Sequence, residues 1–376
     1  MIIPRTASLT PAVSQRLLSL DVFRGLTIAA MVIVNNPGDW SNMYWPLRHA
    51  EWNGWTPTDL IFPCFLFIVG VSITLSKKSS GWRSILRRSA IIFALGLFLA
   101  GYPRFDIHRW RIPGVLQRIG VCYLAAASLY RLTAGERRRQ IIAIASIAVA
   151  LTLGYWAVMM LVAAPGGTAG DLSPEGNLGA WLDRALMNGH LWRPRWDPEG
   201  LLSTVPAIAT TLLGVLAGLC LGAEWSSSRK TAALAGGGAA ALIVGLAWNT
   251  VFPINKNLWT SSYVFFTAGL AALLLAACYW VLDVKGWRRG TMPLVILGVN
   301  AITLFVVSGL LVKTLALFRV AGPNGRDIAV STWAYLHWFV PLAQPKNASL
   351  LYSVANLAVL FGLLWWMYRR RIFLRV

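Results

Sequence analysis

Charge is scarce in this chain, and negative charge most of all: 13% of the 376 residues are charged, with 14 acids against 34 lysines and arginines. A soluble domain carries about 25% charged residues, so a water-soluble globule is excluded. The 57% hydrophobic content excludes disorder. The four cysteines (Cys64, Cys122, Cys220, Cys278) lie far apart inside apolar runs. They show neither a disulfide framework nor metal-ligand spacing, so no metal is expected. Also missing are a Walker loop, a GxGxxG turn after a strand and a GxSxG elbow, which argues against ATP-driven transport. A net charge of +20 would suggest nucleic acid in a soluble protein. Here no basic stretch sits in a module large enough to fold, and no nucleic-acid partner is expected. What the chain does hold is 19 Trp and 33 Gly, a composition suited to membrane helices and their interfaces.

Spanning a bilayer takes roughly 20 mostly apolar residues as a helix. Ten segments qualify: 17–34, 58–76, 87–102, 112–130, 140–162, 202–221, 231–251, 262–282, 293–312 and 350–368. The expected fold is therefore all-α, a polytopic membrane protein with residues 1–376 as one domain. The first segment is not expected to be a cleavable signal peptide, because Asn35-Asn36-Pro37-Gly38-Asp39 follows it where small residues are needed. With both termini cytoplasmic, 20 of the 34 basic residues fall in inner segments, including Arg5, Arg16, Lys77, Lys78 and Arg375, and 10 of the 14 acids fall outside. Chemistry should then face outward, since the long loops 35–57, 163–201 and 313–349 lie on that side. No internal repeat is apparent.

Several polar residues in these loops and helix mouths admit chemical roles. His49 sits between Arg48 and Glu51 in a loop dense with Trp and Asn. It is either a solvated interfacial histidine or a general base whose tautomer Glu51 or Asp59 would fix. Thr56, Pro57 and Asp59 form a capping-box pattern, which gives Asp59 a structural alternative. Pro63 is expected to kink the second helix. Arg24, one turn into a membrane helix, either pairs with Asp21 or holds an anionic ligand group. Gln117 and Arg118 inside an apolar span suggest a wet cavity. Beyond His190, Asp197 is expected to cap the sixth helix with Pro198 at its first position. Asn255-Lys256-Asn257 places polar groups at the mouth of the eighth. Trp52 and its neighbours read either as an interfacial belt or as platforms for a sugar ring.

Taken together, the stretches LDVFRG (20–25), Asn35, HAEWNGWTPTDLIFP (49–63), RIPGVLQRIG (111–120), DPEG (197–200) and PINKNLW (253–259) resemble the heparan-alpha-glucosaminide N-acetyltransferase family. Within it the chain looks like a bacterial NagX-type transmembrane acyltransferase. That resemblance implies transfer of acetyl from cytoplasmic acetyl-CoA to the amine of a glucosamine-type sugar across the bacterial inner membrane. It places His49, Asn35 and Asp59 in the catalytic site. Arg24, Gln117 and Arg118 are the expected acetyl-CoA contacts, and Trp52, Asn53, Asn255 and Asn257 the expected sugar contacts. Acetyl-CoA, an amino-sugar or oligosaccharide acceptor and the lipid bilayer are the expected partners, and a homodimer is left open. The alternative from the residues alone is a secondary transporter of amino sugars, which the missing inverted repeat disfavours.

Overall fold

A computed structural model describes residues 17–76, 81–322 and 326–374. Arg5, Arg16, Lys77, Lys78 and Arg375, counted above toward the inner face, lie outside these residues. Thirteen α-helices follow in order among the described residues: α1 (Leu18–Asn35), α2 (Ile61–Leu75), α3 (Trp82–Gly101), α4 (Val115–Leu132), α5 (Arg137–Leu161), α6 (Leu178–Met187), α7 (Leu201–Leu221), α8 (Ser227–Trp248), α9 (Ser261–Cys278), α10 (Met292–Val299), α11 (Ala301–Leu317), α12 (Val330–Ala334) and α13 (Pro345–Arg369). The one sheet among the described residues is an antiparallel pair, β1 (Arg319–Ala321) with β2 (Asp327–Ala329). The protein is an all-α integral membrane protein.

The expected count was about ten spans. Eight helical stretches among the described residues are long and apolar enough to cross a membrane, nine if α10 and α11 count together. Those two helices meet at 78°. The break is at Asn300, whose amide donates to Ile372 O while its Oδ1 accepts from Leu374 N. A side chain committed to the C-terminal tail fixes a non-helical backbone there. The expected span 112–130 is helical only from Val115, and Gln117, Arg118 and Arg131 keep it from the required apolarity. It is nonetheless enclosed, with both Gln117 and Arg118 buried.

Burial sorts the helices. The spans of α1, α2, α7 and α9 are more than half buried and make the centre, whereas α5, α8 and α13 are less than a third buried and turn apolar side chains outward. Close backbone approach holds the centre together, as expected where lipid supplies no hydrophobic drive between helices. A Cβ on Gly70 of α2 would stand 2.0 Å from Thr211 O, and one on Gly214 of α7 would stand 2.1 Å from Phe67 O. Gly25 and Gly298 do the same for α1 against α10. Pro63 lies in the first turn of α2, where its missing N–H costs no helix bond, so no kink is needed to explain it.

Candidate active site

The chain enters α2 through a 3₁₀ turn, Pro57–Leu60, and the capping box expected there is present. Asp59 Oδ2 accepts from Thr56 N at 3.0 Å, from Thr56 Oγ1 at 3.1 Å and from Ala50 N at 3.0 Å. The second oxygen, Oδ1, stands 2.7 Å from His49 Nδ1. The two alternatives for Asp59 therefore coexist: one carboxylate oxygen caps the turn and the other orients a histidine. Glu51, the rival partner, is exposed. A carboxylate can only accept, so Nδ1 carries a proton, and in the neutral ring Nε2 would hold the lone pair. Asp59 is 1% exposed and His49 47%, so the anchor is dry and the working face is wet. The hydroxyl of buried Tyr263 on α9 donates to Asp59 O and ties the turn to the bundle.

A third group completes this cluster. Lys256 Nζ lies 3.1 Å from His49 Nδ1, 3.4 Å from Nε2 and 3.8 Å from Asp59 Oδ1. Burial lowers the Lys256 ammonium below its ordinary range, with Asp59 opposing that shift. The loop that carries it is stitched to the histidine loop: Asn255 Nδ2 donates to Asn53 Oδ1 at 3.0 Å and Gly54 N to Ile254 O at 2.8 Å. Asn255 is 1% exposed and its Oδ1 accepts from Leu258 N, so it organises the loop and has no free face for a sugar. Asn257 and Trp52 line a small cleft with Asp183 and Trp196. Trp52 meets Trp196 edge to face and donates to Leu172 O, so its ring is partly committed to packing.

Asn35 belongs to a different feature. A cavity of about 410 Å³ opens between α1, α3, α4 and α11, walled by Asn35, Gln117, Arg111, Trp192, Ser308 and Lys313 among others. His49 is not among its walls. Asn35, the last residue of α1, is exposed, whereas the amide of Asn36 is spent on Val32 O and Ser308 Oγ. Gln117 is 5% exposed, and its Nε2 has no hydrogen-bond partner among the described residues. Arg111 is held by Asp197 and Glu199 at 2.6 and 2.5 Å and lies over the Trp192 ring. Burial works against its charge, and the two carboxylates outweigh burial and raise it. A smaller void of about 80 Å³, walled by Arg24, shares Met31, Val115, Leu116 and Phe305 with the large one. Arg24 bonds Ser72 Oγ at 2.9 Å and pairs with Asp21 at 3.5 Å, so the expected local pairing is present while the side chain still faces the void.

Arg118 turns the other way. It donates to Gly200 O and Ser203 Oγ on α7 and stacks over Trp259, leaving Nε and Nη1 unpartnered among the described residues. Asp197 does not cap α7, which begins four residues later; Asp183 of α6 does, accepting from Leu201 N at 2.8 Å. The amphipathic α6 was not foreseen, since ten residues fall short of a span. Burial raises Asp183 to about 6.

Residues 16–177 match the family model for the heparan-alpha-glucosaminide N-acetyltransferase catalytic region. The chain is 32% identical over 357 residues to the human heparan-alpha-glucosaminide N-acetyltransferase, covering 78% of this chain and 53% of the human protein. The mouse protein of the same name is 32% identical over 362 residues, with the same coverage. The chain belongs to this family. It spans about half the length of the curated relatives it matches. The acetyltransferase catalytic region matched here includes His49, Asp59, Asn35, Gln117 and Arg118 and stops short of Asn255–Asn257. Lys256 was therefore the residue most easily missed. Its signal was a lysine between two asparagines at a helix mouth. Nothing local to that motif points to a histidine 207 residues away.

Proposed function

We propose that this protein is a membrane acyltransferase that moves acetyl from cytoplasmic acetyl-CoA to the amine of a glucosamine-type sugar on the periplasmic side of the inner membrane. The observation that carries the reading is the 2.7 Å His49–Asp59 pair, in which a buried acid holds Nδ1 of an imidazole that is 47% exposed. An imidazole held this way accepts a proton from an attacking amine. The amine nitrogen then bonds the acyl carbon, the carbon–sulfur bond breaks, and the proton on Nε2 can pass to the departing thiolate. Asn35, with its amide free of the bonds that occupy Asn36, is the donor suited to the developing oxyanion.

The adjoining voids support the donor assignment. They run along α1 from Arg24 to Asn35, eleven residues or roughly 16 Å of helix rise. Their walls are mostly apolar, and the unsatisfied Gln117 Nε2 offers a hydrogen bond to a carbonyl inside. Arg24 at the narrow end suits a phosphate. The acetylated thioester supplies the activated acyl group; the chain supplies the slot, the oxyanion donor and the base. Sealed vesicles given radiolabelled acetyl-CoA on the cytoplasmic face alone test this. Labelled N-acetylated sugar on the far side is the expected result, and sugar uptake without label would mark a transporter. Because His49 lies outside the walls of the void, rapid acid quench and peptide mapping are included. Acetyl on His49 would indicate a carrier, and its absence during active turnover would indicate direct transfer.

A further inference from the structure

We propose that Lys256 is a positioning residue that keeps His49 in its neutral, proton-accepting form. The proposal rests on the reading of His49 as the base. A buried carboxylate 2.7 Å from Nδ1 favours the imidazolium. The more that form is favoured, the smaller the share of rings whose Nε2 can accept a proton. The Lys256 ammonium opposes this. With the Nδ1 proton committed to Asp59, that nitrogen has no lone pair to offer, so Nε2 at 3.4 Å is the ring atom open to Lys256, through a long contact that an attacking amine would displace. An imidazolium there would set two like charges 3.1 to 3.4 Å apart. Lysine and aspartate instead balance each other across a neutral ring.

The placement of Lys256 is built into the fold. Its side chain is 17% exposed, more covered than the imidazole it touches. The loop turns back sharply just after it, with Trp259 at φ +52, a conformation rare for a bulky residue. Trp259 is fully buried there and donates from Nε1 to Thr210 Oγ1, so tertiary packing offsets the strain. The other charges around the cluster do not compete for the ring. Arg48 turns its guanidinium to Met43 O and Ser41 O, and Glu51 is exposed. Around Lys256, Asp59 and Glu199 favour the ammonium while burial and Arg118 oppose it.

Diethyl pyrocarbonate reacts with neutral imidazole, and peptide mass spectrometry reads its addition to His49 in the full-length protein in detergent. This readout needs no acetyl transfer. Across about pH 5 to 8.5, Lys256→Met should move the acid limb of His49 labelling up by about one to two pH units. Labelling at a fixed pH low on the acid limb should fall by about ten- to a hundredfold for that displacement, while Lys256→Arg keeps the parental limb. Where the Met variant does not fold, Lys256→Gln is read in the same way. An unmoved limb in a folded Met or Gln variant overturns the proposal, as does an equal displacement in the Arg variant. Acetyl transfer should follow the labelling limb. A displaced limb in a protein that transfers nothing would sink the acyltransferase reading and leave this one standing.

Discussion

At the scale of single residues, chemistry and stability separate cleanly at His49 and join at Asp59. His49 meets Asp59 at Nδ1 and Lys256 at Nε2 but is nearly half exposed, and Lys256 and Asp59 stand 3.8 Å apart to pair without it, so His49→Ala should cost little stability. As the proposed base it should cost about 10²–10⁴-fold in transfer rate. Transfer assays beside a thermal melt would check both, and wild-type transfer in the alanine protein would remove His49 from the mechanism. Asp183 shows how burial sets a pH dependence. Its folded value of about 6 lies above the ordinary 3.8, so the folded chain binds more protons between those limits. That group's contribution is full below about pH 4, declines as pH rises toward 6 and is flat above. Asp183→Asn retains an acceptor for Leu201 N and should flatten that decline, on the order of 2–3 kcal/mol by the linkage of one pK unit to about 1.4 kcal/mol. Melting temperatures of the two proteins from pH 4 to 8 would show it, and parallel curves would contradict it.

At the scale of elements, the site depends on where α2 begins and what it leans on. The cap at Thr56–Asp59 is local, but the helix behind it is seated by glycines that let α2 and α7 touch backbone to backbone. Gly214→Val should force the two apart, because the added carbons meet the Phe67 carbonyl. A loss of roughly 1–3 kcal/mol or more is expected for such overpacking. It should appear as a lower melting temperature or failure to express, whereas Gly236→Val on α8, where a Cβ meets nothing within 4 Å, should melt like the parent. The break between α10 and α11 belongs to this scale too. Seen along the chain, 293–312 is one apolar run; Asn300 ends a helix only because the C-terminal tail arrives to satisfy its amide.

At the scale of the whole molecule, the cluster at His49, the cavity at Asn35 and the ion pairs of Arg111 collect at one end of the bundle, while Arg24 opens toward the other. The basic residues divide the same way along the sequence, which predicts that this end faces away from the cytoplasm. Reporter fusions after Arg371 and within 163–175 should report opposite sides, the former cytoplasmic. Fusions reporting one side would reverse the direction of the proposed transfer.

The all-α membrane character, the approximate limits of most helices, the capping box and the Arg24–Asp21 pair were all readable from sequence, because each depends on neighbours within a few turns. Asp59 was readable only as a choice between cap and partner, since its second carboxylate oxygen acts across a loop. Gln117 and Arg118, adjacent and equally polar, were indistinguishable until the rotation of α4 aimed one into the cavity and the other onto Trp259. Successive helix residues point about 100° apart, and which direction is wet depends on the neighbouring helices. Lys256 was beyond reach for the same reason. Its meeting with His49 requires α2, α7 and α9 to be packed and two loops to be stitched through Asn53 and Asn255. Periodicity and capping are local and written in the chain; which loop ends come together is decided by close packing at glycines and by hydrogen bonds between distant segments.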